Sequence, residues 1–145
     1  YLVVARWERE NHVAEIISAH VEAKLQFPLL VVGASKYQST YSDAIRKSAA
    51  VSANVLLLGS IWDKETLDAL YSGAKAYIHG HSVGGTNPSL LRAIGADCDL
   101  ILFDCEFNRE TANDSGLYWK DKNSLIAALS CCIRLSFKPY LTNIV

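Results

Sequence analysis

The sequence has no methionine, and none of its four cysteines falls in a Cys-x-x-Cys pair. No apolar run approaches the roughly 20 residues that cross a bilayer. No secretory leader opens the chain. Charge of one sign is also lacking: 14 Lys and Arg stand against 15 Asp and Glu, and no basic patch is interleaved with aromatics. Each absence closes off a class. Neutralising nucleic-acid phosphates takes clustered cations, so nucleic acid is not expected as the main partner. A structural zinc site wants spaced thiolate pairs with histidines nearby. Cys98, Cys105, Cys131 and Cys132 are therefore read as reduced, buried thiols.

What is present is an ordinary globular composition, half apolar and one fifth charged, over 145 residues. That length suits one domain with a real core, spanning residues 1–145, and is too short for two. The chain starts at Tyr1, already inside an apolar stretch, and is expected to be a piece of a longer polypeptide. Missing targeting signals then say little about the whole protein.

Apolar runs alternate with amphipathic segments. Strands are expected at 1–5, 27–33, 53–59, 75–80 and 99–104, with a short extended piece, "GLYW", at 116–119. Helices are expected at 13–23, 41–50, 64–73, 88–95 and 123–135. Asp63 reads as an N-cap, Gly73 as a helix end, and Pro88 as a first-turn proline. The tail "SFKPYLTNIV" is assigned to no element. Near-continuous apolar strands separated by helices make a parallel sheet covered on both faces. With right-handed crossovers it is doubly wound, a Rossmann-like α/β fold.

Ligands of such sheets bind beyond the carboxyl ends of the strands. The loops there are Arg6–Asn11, Gly33–Ser39, Gly59–Asp63, His79–Asn87 and Asp104–Glu110. The fourth reads "HGHSVGGTN" and runs into Pro88, so Gly84, Gly85, Thr86 and Asn87 offer backbone N–H groups at a helix N-terminus. Those donors and the helix dipole suit a phosphate. Arg6 leaves strand one toward the same rim, and either joins that phosphate site or pairs with a surface Glu. No Gly-x-Gly-x-x-Gly follows strand one, no Walker lysine sits in the glycine loop, and no Gly-x-Ser-x-Gly surrounds a serine. These gaps argue against a dinucleotide dehydrogenase, an NTPase and a serine hydrolase.

Asp97 and Asp99 precede a strand, at the wrong end of the sheet for a metal under a nucleotide. His79 and His81 lack a third ligand, and at least one is expected to hydrogen-bond in the cleft. Trp62 either walls a nucleobase slot or packs on the next helix. A flavodoxin-like or receiver-type domain shares the alternating pattern, but "ARWEREN" after strand one supplies neither an acidic cluster nor a flavin-phosphate loop.

Three stretches in order carry a resemblance: "YLVVARWEREN", "LLLGSIWDKETLDALYSGAKAYIHGHSVGGTNPSLLRAIGA" and "FDCEFNRETANDSGLYW". Together they resemble the C-terminal, donor-binding half of a GT-B glycosyltransferase, most closely the retaining family 4 and its rhamnosyltransferase-like branch. The resemblance implies a nucleotide-diphosphate sugar as ligand, no cofactor, and no metal. It implies transfer of a hexose or deoxyhexose to a glycan or lipid-linked acceptor in surface polysaccharide biosynthesis. The acceptor half would precede Tyr1. The full-length protein would be cytoplasmic, with peripheral association at the inner face of the plasma membrane, and the isolated domain would be inactive.

By the same resemblance, Arg6 matches the diphosphate-binding arginine, and Gly84, Gly85, Thr86 and Asn87 the loop that meets phosphates and sugar. Gly59, Ser60, Ile61 and Trp62 match the loop beside the nucleobase, with His81 and Arg92 placed near the diphosphate. This chain departs from the pattern in four places, the first being Gly84, which stands where the family has the earlier Glu of a Glu-x7-Glu motif. Asn11 stands where the family has a lysine. Arg92 stands where a Glu grips the ribose hydroxyls, and a guanidinium can only donate. Ser82 stands where the branch has another Glu. Arg92 is either a cation near the diphosphate or a solvated helix residue. A degenerate, non-catalytic nucleotide-binding or protein-interaction module is the alternative reading.

Overall fold

The computed structural model describes residues 1–135, with side chains to residue 132; the tail 136–145 lies outside the described residues. Six parallel strands form one sheet: β1 (Leu2–Val4), β2 (Leu29–Val32), β3 (Val55–Gly59), β4 (Tyr77–His79), β5 (Leu100–Phe103) and β6 (Leu117–Trp119). Their order is β3-β2-β1-β4-β5-β6, so successive crossovers run outward from β1 in one direction and then from β4 in the other. The reversal lies between β1 and β4, which are joined at the register Leu2–Tyr77. This is the doubly wound Rossmann-like order anticipated from the alternation of elements.

Strand alternation sends side chains into two separate cores. On one face Val3, Val31, Ile78 and Ile101 pack against α1 (Val13–Glu22), α2 (Thr40–Ala50) and α6 (Lys122–Leu135). On the other, Leu2, Tyr77, Leu100 and Leu102 pack against Tyr71 of α3 (Lys64–Gly73) and Leu90 and Ala93 of α4 (Pro88–Gly95). Burying a large apolar side chain contributes about 1.5–3 kcal/mol, so these two layers hold the strands whose ends make the site.

Helix starts follow local chemistry. Ser39 and Ser42 form a reciprocal capping box on α2. Asp63 caps α3 through the Thr66 N–H at 2.8 Å, as expected. Asn87 caps α4 through the Ser89 N–H at 2.9 Å, with Pro88 in the first turn.

Some boundaries differ from expectation. Each full strand is shorter by one or more residues at its ends, because the last ladder bonds need a paired neighbour. α3 does end at Gly73 as expected, with Ala74 after it as the cap. "GLYW" is more than an extended piece: it adds β6 beside β5. The expected loop 104–110 contains a helix, α5 (Glu106–Thr111). Six polar-rich residues give no readable apolar period. This turn is fixed instead by Asn108, whose Nδ2 donates to the carbonyls of His81 and Phe103, both at 2.9 Å. The thiols also differ from one another. Cys132 is buried and Cys98 and Cys105 are half-buried, but Cys131 on α6 is exposed.

Candidate functional site

The β1–β4 reversal opens a cavity of about 280 Å³ at the carboxyl ends of the strands. Arg6 and Asn11 line it from the β1 side, His79 and His81 from the β4 side, and Asn87 and Ser89 from the start of α4. A reversal of strand order leaves such a crevice because the chain leaves the two strands for opposite faces of the sheet.

The two loops are tied together closely. Gly80 lies so near the other loop that a Cβ would stand 2.1 Å from the Asn11 carbonyl oxygen. His12, in the left-handed region at φ 51°, donates from Nδ1 to the Gly80 carbonyl at 2.7 Å and stacks on Phe103. Ser82 donates to the Glu10 carbonyl from its backbone N–H (2.9 Å) and its hydroxyl (3.0 Å). The Ser82 side chain therefore fastens one loop to the other.

Arg6 is exposed, and among the described residues no carboxylate pairs with it. The surface-Glu alternative for Arg6 is thus not realised within them. His81 is half-buried beside it. Burial lowers the His81 pKa first; Glu10 raises it and Arg6 lowers it. Its Nε2 lies 3.5 Å from where a Gly84 Cβ would be, and Gly84 adopts φ +106°, open to glycine at little cost. Gly84, Gly85 and Thr86 are exposed, and among the described residues their backbone N–H groups donate to nothing. Asn87 is half-buried, and its Oδ1 is committed to capping α4.

His79 sits deeper, 4% exposed, with its Nδ1 3.1 Å from the Tyr77 hydroxyl and its Nε2 without a hydrogen-bond partner among the described residues. Burial, with His81 adding to it, pushes its pKa down to about 3, so the ring is neutral at ordinary pH. Tyr77, His79 and His81 form a column, with centroids 5.7 and 6.0 Å apart, because alternate residues of a strand share a face.

Arg92 is not among the cavity residues. It turns toward α3, where Nε and Nη2 contact Asp68 Oδ1 at 2.9 and 2.8 Å and Nη2 also reaches the Lys64 carbonyl at 3.4 Å. An adjacent carboxylate on α3 holds this cation, so it is not a freely solvated residue.

Gly59, Ser60, Ile61 and Trp62 lie at the end of β3, separate from the β1–β4 cavity. Gly59 has φ +70° and its carbonyl accepts from the Gly33 N–H at 2.8 Å. Ser60 is exposed, and Ile61 packs on the α3–α4 core. Trp62 is 89% exposed, so it does not pack on the next helix.

Sequence reasoning passed over Asn11 as a site-building residue and left α5 as loop. The first is buried and polar at 5% exposure, which a sequence pattern does not display.

A second, larger hollow of about 620 Å³ lies at the opposite, amino ends of the strands, lined by Tyr1, Phe27, Leu70, Lys75, Asp97 and Asp99 among others. Its size does not make it the better site. It lies away from the strand-end loops, whereas the smaller cavity gathers a cation, two imidazoles and a helix start. Asp97 and Asp99 do lie at the far end, as expected. Among the described residues, no three His, Cys, Asp or Glu side chains converge to hold a metal ion, and no helix is long and apolar enough to cross a membrane.

No protein-family model matches the chain, and no curated protein sequence does so either. Solved structures do match. The pneumococcal O-GlcNAc transferase GtfA, in complex with UDP and GlcNAc, aligns over 92% of this chain and 28% of its own, with TM-score 0.70 and 21% identity. A UDP-forming α,α-trehalose-phosphate synthase from Burkholderia vietnamiensis aligns over 92% of this chain and 37% of its own, at 0.79 and 10%. The C-terminal domain of the group 1 glycosyl transferase LpcC from Francisella tularensis aligns over 92% of this chain and 74% of its own, at 0.72 and 13%. The chain thus spans about a third of the length of the first two. At these identities the likeness concerns architecture: the chain has the Rossmann-like fold of the C-terminal domain of GT-B glycosyltransferases.

Proposed function

We propose that this chain is the donor-binding domain of a retaining, metal-independent glycosyltransferase that takes a nucleotide-diphosphate sugar. The observation that carries the reading is Arg6: a guanidinium lining a switch-point cavity, with no carboxylate partner among the described residues, in a cavity that the start of α4 also lines. In family 4 terms, Arg6 and the N–H groups of the Gly84–Thr86 loop hold the diphosphate and stabilise it as it departs. The Gly59–Trp62 loop flanks the base. Placement of the reacting groups, rather than a nucleophile of its own, is what this domain contributes. The acceptor, a glycan or lipid-linked sugar of a surface polysaccharide, is bound by a preceding domain, which also brings the protein to the inner face of the membrane. The rhamnosyltransferase-like branch is the best match for "HGHSVGGTNPSLL" and "FNRE".

Calorimetric titration with UDP, GDP, dTDP and their hexose conjugates tests the reading. Binding of one nucleotide series supports it and names the base. A folded protein that binds none sinks it. In that case the degenerate module leads, a reading favoured by the missing carboxylates at Ser82 and Arg92 and by the Arg92–Asp68 pair. Sugar transfer by a longer chain carrying both halves separates an active enzyme from that module.

A further inference from the structure

Asn11 is 5% exposed and uses both ends of its amide. Its Nδ2 donates to the Arg6 carbonyl at 2.9 Å, which fixes the amide's orientation because a carbonyl can only accept. Its Oδ1 therefore points at His81 Nδ1, 2.9 Å away, and that nitrogen must carry the proton. A neutral imidazole protonated on Nδ1 has its lone pair on Nε2. That nitrogen lies beside the Gly84 loop, 3.5 Å from where a Gly84 Cβ would stand.

We propose that Asn11 is the positioning residue of this cleft, holding His81 in the Nδ1–H tautomer so that Nε2 accepts a hydrogen bond from a hydroxyl of the donor's sugar. The inference rests on the donor-site reading and deepens it. Arg6 and the glycine-loop N–H groups can only donate, which suits phosphoryl oxygens, whereas a sugar hydroxyl needs an acceptor as well. His81 Nε2 supplies one. The charged and titratable groups facing the ring are Arg6 and Glu10 from the β1–α1 loop, His79 from β4, and Cys105 at the start of α5, whose thiol approaches the His81 carbonyl. Burial and Arg6 keep the ring neutral, the form that has the lone pair. Asn11 also accounts for the departure from the family's lysine: a cation there could not accept from Nδ1.

Long-range ¹H–¹⁵N correlation on the imidazoles of the protein reads the tautomer directly. At pH 8 the expected spectrum has His81 protonated on Nδ1 and bare on Nε2. Asn11→Ala should lose that preference and Asn11→Asp, which keeps an oxygen acceptor, should restore it; if either variant fails to fold, the wild-type spectrum decides alone. The second arm compares hexose conjugates with the bare nucleoside diphosphates UDP, GDP and dTDP at pH 8, in the parent and in His81→Phe. Loss of the hydrogen bond that Nε2 accepts should weaken the conjugate about fivefold, the size of one ordinary hydrogen bond, and leave the bare diphosphate unchanged. An Nε2–H tautomer, or a loss shared equally by conjugate and diphosphate, overturns the inference while nucleotide binding stands. If no nucleotide binds at all, the donor-site reading fails and the sugar assignment with it, even with the Nδ1–H signal present.

Discussion

Arg92 on α4 and Asp68 on α3 are locked together through two contacts, Nε and Nη2 each within 2.9 Å of one carboxylate oxygen. The pair bridges two neighbouring helices and draws the guanidinium away from the cavity. Both side chains are part exposed, at 32% and 52%, so the pair contributes about 1 kcal/mol or less. Arg92→Glu should cost about that much in urea unfolding, through lost attraction and new repulsion with Asp68. Adding Asp68→Arg should restore it. Arg92→Ala should leave nucleotide affinity unchanged in calorimetry. A marked loss of affinity would return Arg92 to the binding site.

Arg6 presents the opposite case, a cation with no partner to lose among the described residues. Arg6→Ala should leave the melting temperature where it is, because an exposed side chain without an ion pair holds nothing together. It should weaken nucleotide binding by about 1.5–3 kcal/mol, the range for a hydrogen bond to a charged group. Calorimetry and thermal melting on the same samples check both halves. Unchanged affinity would remove Arg6 from the site.

Two glycines of the "HGHSVGG" stretch should respond in opposite ways. At Gly80 an added Cβ meets the Asn11 carbonyl at 2.1 Å, backbone against backbone, so the β1 and β4 loops must part. Gly80→Ala should cost about 1–3 kcal/mol, as overpacking does. At Gly85 nothing lies within 4 Å of a new Cβ. Gly85→Ala should stay within about 0.5 kcal/mol of the parent. Equal losses in chemical denaturation would contradict the close approach at Gly80.

Trp62 is the one exposed tryptophan of three, since Trp7 and Trp119 are 5% and 2% exposed. A base stacked on it should quench the solvent-exposed part of the fluorescence, and Trp62→Ala should abolish that response. Affinity should fall by about 1–3 kcal/mol, the worth of base–aromatic stacking. Nucleotide binding without a fluorescence change would place the base elsewhere.

The fold was readable because strand and helix periods differ and because helix starts are local chemistry: Asp63 and Pro88 act within three residues of their own positions. What was not readable depends on contacts distant in sequence. The six-residue α5 owes its place to Asn108 reaching the His81 carbonyl, 27 residues away. The direction of Arg92 depends on Asp68, 24 residues earlier on another helix. Asn11 drew notice only as a departure from a lysine, although its amide orients an imidazole 70 residues on. Residue type and spacing marked the loops of the site. Which side chains enter the cavity followed from pairings that no local pattern encodes.

His79 gives the fold a specific weakness to acid. In the unfolded chain a histidine takes up its proton near pH 6.5, whereas burial holds folded His79 neutral until about pH 3. Between those values the unfolded state binds more protons, so stability is complete above about pH 6.5 and is lost as pH falls toward 3. The loss should be on the order of a few kcal/mol for a group this buried. His20, 1% exposed and also lowered chiefly by burial, acts in the same direction. His79→Leu removes one titrating group and leaves the other. Urea unfolding from pH 7 to pH 4 should therefore show a shallower decline in the variant than in the parent, with the His20 share remaining. Parallel curves would mean that His79 titrates in the folded protein near its unfolded value, and that burial does not hold it neutral.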